Sequence, residues 1–376
     1  MNWVFLDTVA WDYDVGTPLK RPLGGSQSAL CYLAAALARR GDRVTTLTAT
    51  TSPRTIEGVQ CLRYENIPFE VFAPPDTVTV VLNGPADIAA TIRQTIPANR
   101  PVVLWTQHAH DQPAMQPLRD PGCREPWNRI VCISDWQKAM FHQEFGLPLA
   151  RIEVLRNAIG PAFANLFANE GELAEAKSQS LRLAYTSTPF RGLDVLLACF
   201  PALHRRHPNC RLDVFSSMQV YNQSPAEDPY QQLYEQCRAT TGIDYRGSVA
   251  QRELARELSR AAILTYPSTF AETSCIAAME AMAAGMLVVT SDLGALPETC
   301  RGLARLVPGP GPTRPAEQFA VDFARAVDQA LTEFQSSRLQ FMRDRFEQSR
   351  AINTACNWDV RAAQWQQAAA GWLKSH

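Results

Sequence analysis

Glu272 and Glu280 stand eight residues apart around the expected start of an Ala-rich helix, and this pair is the most specific chemical signal in the sequence. The run reads Pro267-Ser-Thr-Phe-Ala-Glu272-Thr-Ser-Cys-Ile-Ala-Ala-Met-Glu280-Ala-Met-Ala-Ala-Gly285. Residues 275–284 are good helix formers, Gly285 is a C-terminal stop, and 286–290 read as a buried strand. Thr273, Ser274 and Cys275 therefore fall at a helix N-terminus. Unpaired N–H groups and the positive end of the macrodipole suit an anion such as a diphosphate there. If both acids were helical they would lie ~12 Å apart along the axis and about 80° around it. That is too far for one shared proton transfer and suits two hydroxyl-bearing groups at opposite ends of one ligand. A diphosphate between two sugars is a nucleotide sugar.

The stretch 272–280 resembles the E-x7-E motif of retaining glycosyltransferases of family 4. Members of that family have the GT-B fold, two Rossmann-like doubly wound α/β domains facing a cleft, with a C-terminal helix crossing back to the N-terminal domain. The resemblance implies that Glu272 contacts the donor sugar's hydroxyls and Glu280 the ribose. The amides of Thr273, Ser274 and Cys275, with Arg191, would then stabilise charge developing on the leaving diphosphate. It also implies a metal-independent, retaining reaction with no cofactor beyond the nucleoside-diphosphate sugar. No residue is an obvious covalent nucleophile, which agrees with a same-face displacement in which the leaving phosphate helps deprotonate the acceptor. Two solvated helix charges would show the same spacing. The order strand, Pro-containing turn, acid, helix, Gly and buried strand favours the motif.

Other loops supply candidate contacts. Gly24-Gly25-Ser26-Gln27 precedes an expected helix and puts small residues where backbone can approach a ligand, although a tight turn needs the same residues. In the family a Gly-rich loop here lies near the donor phosphates and the acceptor, so Gly24 and Gly25 are donor-binding candidates. Neither a Walker loop nor a G-x-G-x-x-G dinucleotide fingerprint is present. Gln107-His108-Ala109-His110-Asp111 follows the apolar stretch 101–106, at a strand's carboxyl end where open α/β sheets place ligands. By resemblance one histidine of this loop faces the donor sugar; we assign His108 as catalytic together with Glu272, with His110 as the alternative and Asp111 beside it. Two His and one Asp are too few for a metal site, and exposed loop polarity is the plainer reading.

Ser187-Thr188-Pro189-Phe190-Arg191-Gly192 follows the first strand of the second half. Family members usually carry Gly-Arg, a few residues, then Lys-Gly, which gives the diphosphate two cations. Arg191 occupies the place of the Lys, and no Arg matches the first cation. One Arg can still hold a phosphate bidentately, with Ser187 as a further candidate, unless Arg191 is simply a solvated helix-start residue. Gly247, Ser248 and Val249 end a strand where the family binds the nucleobase through backbone. Asn157 stands where many members have Asn-Gly. Asp12-Tyr13-Asp14 is the D-x-D metal signature of the other major glycosyltransferase fold, but it comes far too early for that architecture and reads as a loop.

Such residues need parallel strands to present them. Strand-like stretches at 3–6, 43–48, 78–82, 102–105, 130–133 and 152–155 alternate with helical ones at 27–40, 86–95 and 135–145. Residues 164–180 lose the pattern and turn polar, as a linker does. The rhythm then restarts, with strands at 181–185, 211–215, 243–245 and 263–266 and helices at 193–206, 230–240 and 252–260. We expect an N-terminal acceptor domain at 1–163, a nucleotide-sugar domain at 181–350, and a last segment at 351–376 returning to the N-terminal domain. Trp358, Ala362, Trp365, Ala369 and Trp372 step by four and three residues along that segment, as on any terminal amphipathic helix, and the resemblance implies that Trp365 and Trp372 pack on the first domain.

The 376 residues exceed one ordinary core and fit two domains. The formal net charge of -1, from 36 basic and 37 acidic residues, offers no field for nucleic acid. Ten scattered cysteines without a C-x-x-C pair read as reduced core residues of a cytoplasmic protein. No secretory signal or run of ~20 apolar residues is visible, so any membrane contact is peripheral. The expected function is sugar transfer from a nucleoside-diphosphate sugar to a glycan, lipid or small-molecule hydroxyl in glycan or glycoconjugate biosynthesis. A nucleotide-sugar epimerase or glycan phosphorylase of the same architecture, or a non-catalytic two-domain sugar-binding protein, are the alternatives.

Overall fold

The computed structural model describes residues 1–178 and 181–374. They form two compact units, one of Met1–Pro18, Gly24–Ala158 and Trp358–His376, the other of Leu19–Leu23 and Ile159–Asn357.

The first unit is built on β1 (Asn2–Leu6), α1 (Gly25–Arg39), β2 (Arg43–Thr48), β3 (Arg54–Ile56), β4 (Val59–Arg63), β5 (Thr77–Leu82), α2 (Ala89–Ile92), β6 (Val102–Trp105), α3 (Pro121–Arg124), β7 (Arg129–Cys132), α4 (Asp135–Phe145) and β8 (Ile152–Val154). The sheet order is β3-β4-β2-β1-β5-β6-β7-β8. All pairs are parallel except β3 with β4. Every residue of β1, β5 and β6 is buried, as expected of parallel strands covered on both faces. The Ser134 hydroxyl caps α4 by accepting from the Gln137 amide, and Gly146 ends that helix in the left-handed region. The expected helix at 86–95 shrinks to the four residues of α2. Pro97 and the polar run after it leave little to extend it.

The second unit contains α5 (Glu170–Ala176), β9 (Leu181–Thr186), α6 (Leu193–Arg206), β10 (Cys210–Phe215), α7 (Gln231–Ala239), β11 (Ile243–Tyr245), α8 (Gln251–Arg260), β12 (Ile263–Tyr266), α9 (Ile276–Ala283), β13 (Leu287–Ser291), α10 (Leu296–Cys300), β14 (Arg305–Val307), α11 (Ala316–Ser336) and α12 (Arg338–Ala355). Its order, β11-β10-β9-β12-β13-β14, is wholly parallel and reverses direction between β9 and β12. Of the expected linker 164–180, residues 170–176 form α5, whose Leu173 is buried; Gln179 and Ser180 lie outside the described residues.

After Asn357 the chain rejoins the first unit as α13 (Trp358–Lys374). Its stripe Trp358, Ala362, Trp365, Ala369 and Trp372 is buried. The Trp365 ring meets Trp3, Phe5 and Trp105 edge-on at 6.1, 6.3 and 5.1 Å, and Trp372 meets Trp365 at 6.1 Å. The expected return helix is therefore present, and it starts at 358 rather than 351 because α12 runs on to Ala355.

Candidate functional site

In the second unit the sheet reverses between β9 and β12, and ligands of open α/β sheets bind outside the strand ends at such a point. The turn after β9 carries Ser187 to Gly192 and the turn after β12 carries Pro267 to Cys275. They touch. Gly192 has φ +96°, and a Cβ there would fall 1.9 Å from the Pro267 carbonyl oxygen, so only glycine allows the approach.

That approach brings Arg191 to Glu272. Arg191 Nη1 donates to both carboxylate oxygens, at 2.7 and 2.9 Å. The Tyr266 hydroxyl donates to Glu272 Oε1 at 2.5 Å and lies 3.4 Å from Ser187 Oγ. Glu272 is 2% exposed and the Arg191 side chain 22%. Burial opposes the guanidinium charge most, but the Glu272 carboxylate together with the nearby Tyr266, Tyr221 and Cys275 outweighs it and holds Arg191 firmly protonated. The Phe190 and Phe270 rings flank the guanidinium, with centres 5.5 and 4.9 Å from Cζ. The Glu272 backbone is fixed as well. Ala295 N donates to its carbonyl at 2.7 Å, and Gly294, at φ +61°, comes so near that a Cβ would lie 2.4 Å from the same oxygen.

Only Glu280 of the two acids is on α9; Glu272 sits in the turn before the N-cap residue Cys275. The N-cap residue Cys275 makes no side-chain capping bond. Thr273 and Cys275 are buried, Ser274 partly so. Glu280 is buried, and its Oε1 accepts the Gly160 amide at 3.0 Å. Burial pushes its carboxyl up to about 8, against the smaller downward pull of that bond. Gly247, at φ +65°, follows β11 with Ser248 and Val249, all partly buried, and the Ser248 and Ser217 hydroxyls lie 2.6 Å apart.

The first unit presents the other predicted residues. Gly24 is the N-cap of α1 and Gly25 its first residue, and no side chain caps that end. The His loop follows β6. The buried Gln137 amide shapes it by donating to the Thr106 and His108 carbonyls at 3.1 and 2.8 Å. Nδ1 of His108 and Nδ1 of His110 are both buried without a hydrogen-bond partner among the described residues. Burial lowers the His108 pKa, so its imidazole is neutral at neutral pH. Asp111 is exposed. Asn157 is buried and donates to Gln107 Oε1 at 3.0 Å, and its own Oδ1 has no partner among the described residues. Asp12 accepts from Thr51 N and Oγ1, and Asp14 from Arg54 and Gly16, so the D-x-D triplet ties down its own loop. Among the described residues no group of three His, Cys, Asp or Glu is placed to hold a metal.

Residues 23–163 match the model of the family described as Glycosyltransferase Family 4, and residues 182–333 that described as Glycosyl transferases group 1. The chain belongs to the GT-B glycosyltransferases. Solved structures agree in fold. A sucrose-phosphate synthase from Thermosynechococcus elongatus superposes with a TM-score of 0.70 at 16% identity, over 100% of both chains. An alpha,alpha-trehalose-phosphate synthase (UDP-forming) from Burkholderia vietnamiensis gives 0.67 at 13%, over 98% of both. HepE from Anabaena, in complex with UDP, gives 0.67 at 13%, over 99% of this chain and 100% of that one. No curated protein sequence matches the chain.

Several residues that hold this glycosyltransferase's site left no mark in the sequence. Tyr266 and Gly294 lie six before and 22 after Glu272 and reach it only through the fold. The far end of α9 is satisfied by other elements. Lys177 donates to the Ala284, Ser259 and Ala261 carbonyls at 2.8, 2.9 and 2.6 Å. Gln348 donates to Met282 and Met286, and Ser349 to Ala283. Helix C-terminal carbonyls need such partners, and a cation there complements the dipole. Buried Asp7, at the end of β1, accepts from Tyr13 and Gln27 at 2.7 and 3.0 Å and ties α1 to its loop. A buried acid at a strand's carboxyl end was the one available signal. Nine of the ten cysteines are buried, in keeping with core roles.

Proposed function

We propose that this glycosyltransferase takes its sugar from a nucleoside-diphosphate donor and passes it, with retention, to an acceptor hydroxyl in glycan or glycoconjugate synthesis. The observation that carries the reading is the Glu272 carboxylate, held at the point where the sheet reverses and followed at once by the N-terminus of α9. An acid beside an anion-binding helix end suits a sugar joined to a diphosphate. In this reading Glu272 binds the donor sugar's hydroxyls and Glu280 the ribose. The amides of Thr273, Ser274 and Cys275, with Arg191, take the diphosphate. Gly247 to Val249 meet the base. The UDP carried by the HepE structure supports a nucleotide donor.

With Oε1 held by the Tyr266 hydroxyl and the carboxylate given over to the donor's hydroxyls, Glu272 is a poor nucleophile in this reading. A same-face displacement follows, in which the phosphate oxygen that leaves C1 takes the proton of the incoming hydroxyl. Charge builds on that phosphate, where fixed amides act best. A neutral His108 can hydrogen-bond a substrate hydroxyl without repelling a cation-like sugar carbon. No cofactor beyond the donor is required, and no helix among the described residues is long and apolar enough to cross a membrane.

The test is a panel of UDP-glucose, UDP-N-acetylglucosamine and GDP-mannose, scored by nucleoside diphosphate released. Glu272→Ala and Glu280→Ala should each lower kcat/KM on the best donor by about a hundredfold. Wild-type kinetics in both variants would refute the assignment.

A further inference from the structure

We propose that Tyr266 is the positioning residue for Glu272, the contact that keeps its carboxylate aimed when Arg191 turns to the donor's diphosphate. The inference rests on the functional reading given above for Glu272 and Arg191.

The two partners of the carboxylate differ in how firmly they are held. Arg191 serves both oxygens through the single nitrogen Nη1, while its buried Nε has no partner among the described residues. A guanidinium used in this one-sided way has donor capacity left over, and a phosphate matches its fork better than one shared nitrogen does. Its side chain is also partly exposed. Tyr266 has no such freedom. It is the last residue of β12, fully buried, with its ring 5.9 Å from that of Tyr185. Its hydroxyl points at Glu272 Oε1, with Ser187 Oγ as its other neighbour at 3.4 Å. Burial raises the phenol well above its ordinary pKa, so the group stays a proton donor at any working pH.

A strand residue locked in the core thus fixes one oxygen of Glu272, and the partly exposed cation covers both. Once a phosphate draws Arg191 away, Glu272 Oε2 is freed for a sugar hydroxyl while Oε1 stays anchored. The Ala295 amide and the close approach of Gly294 hold the backbone meanwhile, so the side-chain torsions are what Tyr266 has to fix.

The experiment compares the wild type with Tyr266→Phe, Glu272→Ala and the double variant. Each is titrated with the panel donor that the wild type turns over fastest and with the matching free nucleoside diphosphate. Tyr266→Phe should lower kcat/KM for the donor about tenfold or more, the scale of a hydrogen bond to a charged group. It should leave the affinity for the free nucleoside diphosphate unchanged and cost nothing further when added to Glu272→Ala. Equal weakening of both ligands, or the same loss in the Glu272→Ala background, would show a general packing role and overturn the assignment. If Glu272→Ala is impaired while Tyr266→Phe behaves as wild type, Tyr266 loses its role and the reading of Glu272 stands. If Glu272→Ala itself uses the donor normally, that underlying reading fails and Tyr266 has nothing to position.

Discussion

The two units put their polar residues to opposite uses. At the β9/β12 reversal of the second unit, Arg191, Glu272 and Tyr266 are bonded to one another and walled by Phe190 and Phe270. At the end of β6 in the first, the loop is shaped by Gln137 through backbone carbonyls, and two imidazole nitrogens have no partner among the described residues. One site is closed on itself by a buried ion pair; the other is open in its hydrogen bonding. Stability and function should therefore separate differently in the two. In the second unit a residue removed from the site also breaks the fold's local balance, whereas in the first the side chains can be cut back with little structural consequence.

The largest effect expected from this contrast is on stability. Arg191→Leu strands the buried Glu272 carboxylate and should cost about 3–5 kcal/mol in urea unfolding. His108→Ala should cost less than about 1 kcal/mol by the same measurement, since its ring nitrogen makes no bond to lose. Equal losses would erase the distinction. His108→Ala should instead reduce donor turnover, by about tenfold to a hundredfold in kcat/KM if the imidazole bonds a substrate hydroxyl.

A third outcome is read against pH. Glu280 is held up to about 8 when folded, against an ordinary 4.5. Between these values the native chain keeps a proton that the unfolded chain has lost. Its contribution is whole below 4.5 and declines as pH rises toward 8, by up to about 1.4 kcal/mol per pH unit. Glu280→Gln should flatten that slope in denaturant titrations across the window. His108 acts with the opposite sign. Its folded pKa is depressed, so stability falls as pH drops through the ordinary histidine range, and His108→Ala should remove that smaller acid-side loss. The smallest effect is expected from chelation. Asp12 and Asp14 already bond Thr51, Gly16 and Arg54, and EDTA should leave donor turnover unchanged.

Much of the scaffold was legible because parallel strands are nearly continuous apolar runs and helices bring their own stops. The stretches 43–48, 102–105, 135–145, 193–206, 243–245 and 263–266 coincide with β2, β6, α4, α6, β11 and β12. The buried stripe of α13 was legible from its tryptophan and alanine steps, and its return to the first unit from the family resemblance. Illegible elements had weak local signals. Polar α5 looked like a linker, since Leu173 is the one buried residue within it, and the short antiparallel β3 was not seen. Arg191 shows the same limit at the site. Its place after β9 marked it as a ligand-binding candidate, but its bond to Glu272 spans 81 residues, which no local pattern records.

The sequence by itself determined the alternation of strand and helix, the run from Glu272 to Glu280 with its helix and stop, and the buried stripe of the last helix. These depend on neighbours a few residues apart, and side-chain periodicity writes them into the chain. Only the tertiary structure decided that Arg191 and Tyr266 meet the same carboxylate, that Gly192 and Gly294 let the backbone come close enough, and that Lys177, Gln348 and Ser349 finish α9. The contacts around Glu272 arise where the carboxyl ends of β9 and β12 converge and those of Lys177, Gln348 and Ser349 at the far end of α9, and both follow from strand order, which no single segment encodes.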